Sequence, residues 1–287
     1  MTTKLVKPEL EAKVEGLGEI YRLNIPFDQA LESLKEFGIK TPTSARELAY
    51  SRIKEGRMSS LSSNGSYTRE GFLYLKDEPI LLALNSPLLD LELARQAVEA
   101  NRKGNYFLSD SKIYIEQKEI AENDKSKKPE QRSVLILPKR ENYNIPTTAF
   151  NEDELTLFLF KDKAEDYGMF LRENKINEIP VLLVDKNYVD SQEQSVLTQL
   201  WLRGLDGRSG LDGYDRGLDY SGRVRGVFEK AGEAGRTREK PTLKQKIKLP
   251  YNKRQVDSIS NIVLNVKEGR FPALKLELVL KFLEGLK

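Results

Sequence analysis

The sequence predicts an α+β fold with an appended helical tail. Helical spacing of apolar residues dominates the first third of the chain, short apolar runs between turn residues fill the middle, and residues 241–287 return to helical spacing. The order helix, strands, helix, strands, helices belongs to α+β proteins rather than to an alternating βαβ chain.

The elements follow in order. PFDQALESLKEFGI sets Phe27, Ala30, Leu31 and Leu34 on one helical face and ends near Gly38. SARELAYSRIKEG places Leu48, Ala49 and Ile53 on one stripe, with Gly56 as its stop. SSLSSNGSYTREG reads as a polar, turn-rich loop. It introduces FLYL and ILLAL, two expected strands broken at Lys76-Asp77-Glu78-Pro79. LDLELARQAVEANRKG predicts a helix stopped at Gly104, residues 123–132 a charged loop, and SVLILP a short buried strand ending at Pro138. Asn151, with Glu154 three residues on, is expected to cap a helix running to about Asn174, with Leu155, Phe158, Leu159 and Phe170 facing the core. IPVLLVD and RVRGVF are strand candidates. The last 47 residues predict a helical hairpin, with Val256, Ile259, Val263 and Val266 on one face, a stop at Gly269 and Pro272 near the restart.

Composition excludes several chemistries. There are 287 residues, enough to bury a real core, yet no cysteine and no histidine. Disulfides, thiolate nucleophiles, imidazole bases and the usual zinc sites are therefore impossible, and an enzyme is disfavoured. We expect no cofactor and no metal. No run approaches the apolar length of a membrane span, and the N-terminus lacks the apolar stretch of a secretory signal. The expected location is cytoplasmic or virion-associated. Residues 240–287 hold eleven Lys/Arg against four Asp/Glu, so a net +3 chain carries a +7 tail and a −4 body. Such a tail can serve nucleic acid or an acidic partner, or simply present a solvated helix face.

Between Trp201 and Phe228 runs WLRGLDGRSGLDGYDRGLDYSGRVRGVF, with Gly-Leu-Asp at Gly204, Gly210 and Gly217. A phosphate-binding P-loop needs a lysine, and none lies between Gln194 and Phe228. Asp206, Asp212, Asp215 and Asp219 match no calcium-loop spacing. Within 203–223 four arginines meet four aspartates, so the charge is zero and a nucleic-acid surface is disfavoured. A flexible surface loop without a role remains, but Trp201, Leu205, Leu211, Leu218, Val224 and Val227 punctuate the stretch as disordered linkers rarely do. The 21 residues from Arg203 to Arg223 use six types only: Arg, Gly, Leu, Asp, Ser and Tyr. All six are reached from the asparagine codon AAC by changing its adenines alone.

On these residues the stretch resembles the variable region of proteins diversified by diversity-generating retroelements, from which it departs in the chain's continuation to Lys287 and in its few aromatics, Tyr214 and Tyr220. An aromatic-led strand, a stretch punctuated by leucine and serine, and a closing Arg-Gly-Val strand carry the resemblance, which points to an archaeal or archaeal-virus type. It implies a C-type-lectin-like fold with a C-terminal helical extension: a ligand-binding domain over 1–229 with its variable region at about 202–223, a linker over 230–240 and a basic hairpin over 241–287. It implies recognition without catalysis. The expected exposed, ligand-binding set is Leu202, Arg203, Gly204, Asp206, Gly207, Arg208, Gly210, Asp212, Gly213, Tyr214, Asp215, Arg216, Gly217, Asp219, Tyr220 and Arg223. The expected framework is Trp201, Leu205, Ser209, Leu211, Leu218, Val224, Arg225, Gly226 and Val227, with Arg225 beside a carboxylate and Gly226 at a close backbone approach. Its abundance of glycine suggests one unselected draw from a large repertoire. The implied partner is a macromolecular ligand, in particular a protein surface, with nucleic acid disfavoured except through 240–287; ligand and oligomeric state are left open. The alternative is an accessory protein that binds nucleic acid or an acidic partner through that tail.

Overall fold

The computed structural model describes residues 5–39, 41–137, 141–205, 209–214, 216–220 and 222–228. The linker and hairpin expected over 230–287 lie outside the described residues.

The chain opens with a hairpin, β1 (Glu9–Val14) and β2 (Gly18–Asn24), followed by α1 (Phe27–Glu36), α2 (Ala45–Glu55), the single turn α3 (Ser60–Ser63), β3 (Ser66–Tyr74) and β4 (Leu81–Ala83). Next come α4 (Leu91–Arg102), β5 (Phe107–Ser109), α5 (Ser111–Asp124), β6 (Val134–Ile136) and β7 (Tyr143–Pro146). The last third holds α6 (Glu154–Phe160), α7 (Ala164–Glu173), β8 (Glu178–Leu182), α8 (Lys186–Asp190), β9 (Ser195–Leu202), β10 (Leu211–Asp212) and β11 (Arg223–Phe228).

The helices at 27–36, 45–55 and 91–102 form where their apolar spacing requires. Each ends at or just before a glycine with positive φ: Gly38 at 76°, Gly56 at 78° and Gly104 at 75°. In α2, Ser44 and Glu47 close a reciprocal capping box.

Four expectations need correction. The helix expected from Asn151 is capped instead by Asp153, whose carboxylate accepts the Thr156 N–H at 3.0 Å. It breaks at Lys161, a non-glycine residue at φ 54°, and resumes as α7. The stretch read as a polar loop after Gly56 contains α3 and the first half of β3, because Thr68 and Glu70 are polar yet buried. The N-terminal hairpin and α5 were not expected at all. Asp124, placed in the charged loop, ends α5.

One sheet runs in the order β1-β2-β11-β3-β9-β10-β8-β7, with β4 and β6 continuing beyond β3 and β5 pairing with β9. Period-two alternation sends successive side chains to opposite faces. Phe72, Tyr74 and Leu82 join the cluster covered by α2, α6 and α7, while Leu73, Leu81 and Ala83 join that covered by α1, α4 and α5. A bulge in β3 between Tyr67 and Gly71 shifts its register against β9. The N-terminal hairpin meets the last described strand: β2 pairs antiparallel with β11 from Asn24↔Arg223 to Glu19↔Phe228. After β9 the chain adds the short strand β10 on the side of β9 away from β3, then passes back across β9 and β3 to join the sheet as β11. The glycine-rich segment holds β10 and that crossing.

Candidate functional site

The segment starts on a buried clamp. Arg52, fully buried in α2, donates to the carbonyls of Leu61 at 2.9 Å and Arg203 at 2.8 Å, and to the Tyr167 hydroxyl at 2.8 Å. A charged donor spent on backbone carbonyls in a dry site makes a strong, directional anchor. Leu205 N–H adds a bond to the Ser62 carbonyl at 2.7 Å.

The middle of the segment is held equally firmly. β10 pairs with β9 through Leu211↔Leu202 and Asp212↔Trp201, and with β8 through Leu211↔Val181. Arg203 and Asp212 form an ion pair at 2.8 Å, and the same carboxylate accepts the Tyr214 N–H at 3.1 Å. The Gly213 carbonyl accepts from the Tyr74 hydroxyl at 3.0 Å and the Thr198 hydroxyl at 2.5 Å. Further on, Leu218 N–H donates to the Asn101 side chain at 3.1 Å, and the Leu218 carbonyl accepts the Phe27 N–H at 2.9 Å.

The segment closes on a buried ion pair. Arg225 of β11 donates to both carboxylate oxygens of Glu11 in β1, at 2.7 and 3.0 Å. Burial opposes ionisation of Glu11, but the hydrogen bonds and charge of Arg225 prevail, and its pKa falls below the ordinary carboxylate value. Gly226 lies under Ile39 and Leu34, with no room for a side chain.

These anchors divide the expected residues by exposure. Leu205, Ser209, Leu211, Leu218, Val224 and Arg225 are buried, while Trp201 and Val227 are half-buried at the margin. Five residues expected at the surface lie inside. Leu202 packs in the core, and Asp212 is taken inward by the Arg203 pair. Gly204, Gly210 and Gly213 are buried against neighbouring chain. A Cβ at 204 would collide with the Ser63 carbonyl oxygen; one at 210 would lie 2.8 Å from Pro180, and one at 213 would lie 2.6 Å from the Phe72 ring. Glycine at these three positions is dictated by packing.

What faces solvent is a shorter set. Tyr220 is 72% exposed and Tyr214 42%, and Arg216 is exposed; Arg203, Gly217, Asp219 and Arg223 are half-buried. Asp206, Gly207, Arg208 and Asp215 lie outside the described residues. Arg216 is held in place although exposed: its guanidinium lies 5.0 Å from the Tyr106 ring centre and donates to the Gly104 carbonyl at 2.7 Å. Tyr106, Arg52, Asn101 and Glu11 were not singled out in the sequence, because each acts through a partner far along the chain.

Among the described residues no group of three His, Cys, Asp or Glu side chains could hold a metal ion, and no helix is long and apolar enough to cross a membrane. No protein-family model and no curated protein matches the sequence. A solved structure described as the accommodation of massive sequence variation in Nanoarchaeota by the C-type lectin fold does match. It aligns at a TM-score of 0.51 and 15% identity, over 75% of this chain and 97% of that one. The chain has a C-type lectin fold. Within this C-type lectin fold, the described residues between β9 and β11 include β10, buried anchors, and the exposed Tyr214, Arg216 and Tyr220.

Proposed function

We propose that this chain is a non-enzymatic ligand-binding display protein, and that its 202–223 segment is a recognition surface diversified by a retroelement. The observation that carries the reading is the division of the segment. Buried residues alternate with exposed Tyr214, Arg216 and Tyr220, so side chains on top can change without disturbing those beneath. Tyrosine and arginine supply large contact area and strong hydrogen bonds at modest entropy cost, as in antibody paratopes. A surface held by Arg52, the Arg203–Asp212 pair and the Arg225–Glu11 pair is ordered before it meets a ligand, which lowers the cost of binding. The six-type alphabet of residues 203–223 supports adenine-directed change as its source. So does the fold shared with a protein described as accommodating massive sequence variation. The partner is a macromolecule, in particular a protein surface.

The experiment is on the DNA. Sequencing the gene and several kilobases beyond it should find a near-copy of codons 200–228, differing only where the copy has adenine, beside a reverse transcriptase gene. A flanking region with neither would remove retroelement diversification from the account.

A further inference from the structure

The glycine-rich segment is held at several points through its backbone. Arg52 binds the carbonyl of Arg203, and Tyr74 and Thr198 bind that of Gly213. Leu218 is held through its N–H by Asn101 and through its carbonyl by Phe27. Such bonds persist whatever side chain the position carries. Residue 216 is different, because its link to an element outside the segment is made by its side chain. There α4 ends in a closed turn: the Gly104 N–H donates to the Asn101 carbonyl at 2.8 Å, and the Asn105 N–H to the Ala100 carbonyl at 3.0 Å. The Asn101 amide adds a bond to the Asn105 carbonyl at 3.0 Å. The Gly104 carbonyl then stands at the negative end of the helix macrodipole, where a cation is favoured. Arg216 donates to it at 2.7 Å and sets its guanidinium 5.0 Å from the Tyr106 ring centre. Tyr106 is backed in turn by Tyr188, with ring centres 4.9 Å apart.

Resting on the reading above, we propose that Arg216 is a positioning residue, a latch that ties the segment to the end of α4. The residue at 216 then decides how firmly the stretch between Gly213 and Leu218, exposed Tyr214 included, is presented. One guanidinium makes both a charge-assisted hydrogen bond and a cation–π contact, which together fix its direction. Of the six residue types used from 203 to 223, arginine alone is a cation. Any other member of that alphabet takes the positive charge from the helix end, and aspartate would set a like charge against its negative pole. Change at 216 therefore acts on order rather than on contact chemistry. With arginine the stretch is ordered before a ligand arrives; without it, the entropy of ordering is charged to association. A ligand that never touches residue 216 still binds more weakly when the latch is gone.

The test needs no ligand. Backbone order parameters are measured by nitrogen-15 relaxation on the full chain and its variants. In the parent chain the amides at 214, 216 and 217 should be as rigid as the core, with order parameters near about 0.85. Arg216→Ser should lower those at 216 and 217 to below about 0.6, with Leu211 and Leu218 unchanged. Arg216→Lys keeps the charge at the helix end and loses the planar stacking, so it should restore part of the order. Tyr106→Leu should loosen the same residues, and combining it with Arg216→Ser should add less than the sum of the two. Unchanged order in Arg216→Ser would overturn the proposal. So would an equal fall at Leu211 and Leu218, which would mean general loosening, or a lysine variant no better than serine. Retroelement diversification is decided by the flanking DNA and the latch by these order parameters, so the two readings fail separately.

Discussion

Gly213 shows how a residue that contributes no side chain can fix the course of the glycine-rich segment. Its missing Cβ leaves room for Phe72 and for the Tyr74 hydroxyl, which in turn holds the Gly213 carbonyl. Gly213→Ala should cost about 1–3 kcal/mol by overpacking, read as a lower urea midpoint with unchanged slope. Tyr220→Ser, one exposed step further along the segment, should stay within about 0.5 kcal/mol. Equal losses at the two positions would mean that the segment is not divided as described. The apolar anchors were legible in the sequence, because leucine and valine in a glycine-rich stretch have few other uses. Packed glycines were not, since glycine looks the same in a tight contact and in a loose loop. Asp212 misled for a similar reason: an aspartate is expected outside unless its arginine partner is known.

At the scale of elements, β3 places a carboxylate where none was expected. Glu70 is buried in its bulge, with the Ala45 N–H at the start of α2 within 3.1 Å of one carboxylate oxygen. Burial pushes its pKa up to about 7, against 4.5 for the free side chain, with hydrogen bonds from Thr68 and the backbone opposing the shift. The folded state thus holds the proton more tightly than the unfolded chain. Its contribution to stability is complete below about pH 4.5 and is lost as pH rises through about 7, a difference on the order of 3 kcal/mol. Glu70→Gln should remove that slope and raise the melting temperature at pH 8, as scanning calorimetry across pH 4–8 would show. Helices with strong apolar spacing and a glycine stop were readable at this scale. The helix α5 was not, because Tyr114, Ala121 and Asp124 are its buried residues and its remaining surface is mixed. Its Asp110 N-cap was the available signal. The β1–β2 hairpin did leave a signal, the alternation of Leu10, Ala12 and Val14 with charged residues in an edge strand that stays half-exposed.

For the whole domain, the N-terminal hairpin and the end of the glycine-rich segment form one structural unit. The Arg225–Glu11 pair spans β2, linking the strand that closes the segment to the first strand of the chain. Glu11→Ala leaves a buried guanidinium without its partner and should cost about 3–5 kcal/mol, measured by thermal or urea unfolding. Because the same arginine orders the exit of the segment proposed for display, the variant should also bind any selected ligand more weakly, with the loss appearing mainly in the dissociation rate. The α+β class and the lectin-type scaffold were visible in the element order and in one resemblance. The meeting of β2 with β11, the last described strand, was not, since strand partners distant in sequence leave no local pattern. The central claim is that variation in this segment is confined to its exposed positions. Deep sequencing of the gene across a natural population measures it directly. The account predicts amino-acid diversity at 214, 216, 219 and 220, with Gly204, Leu205, Gly210, Leu211, Gly213 and Leu218 constant. An invariant segment, or diversity spread evenly over buried and exposed positions, would contradict it.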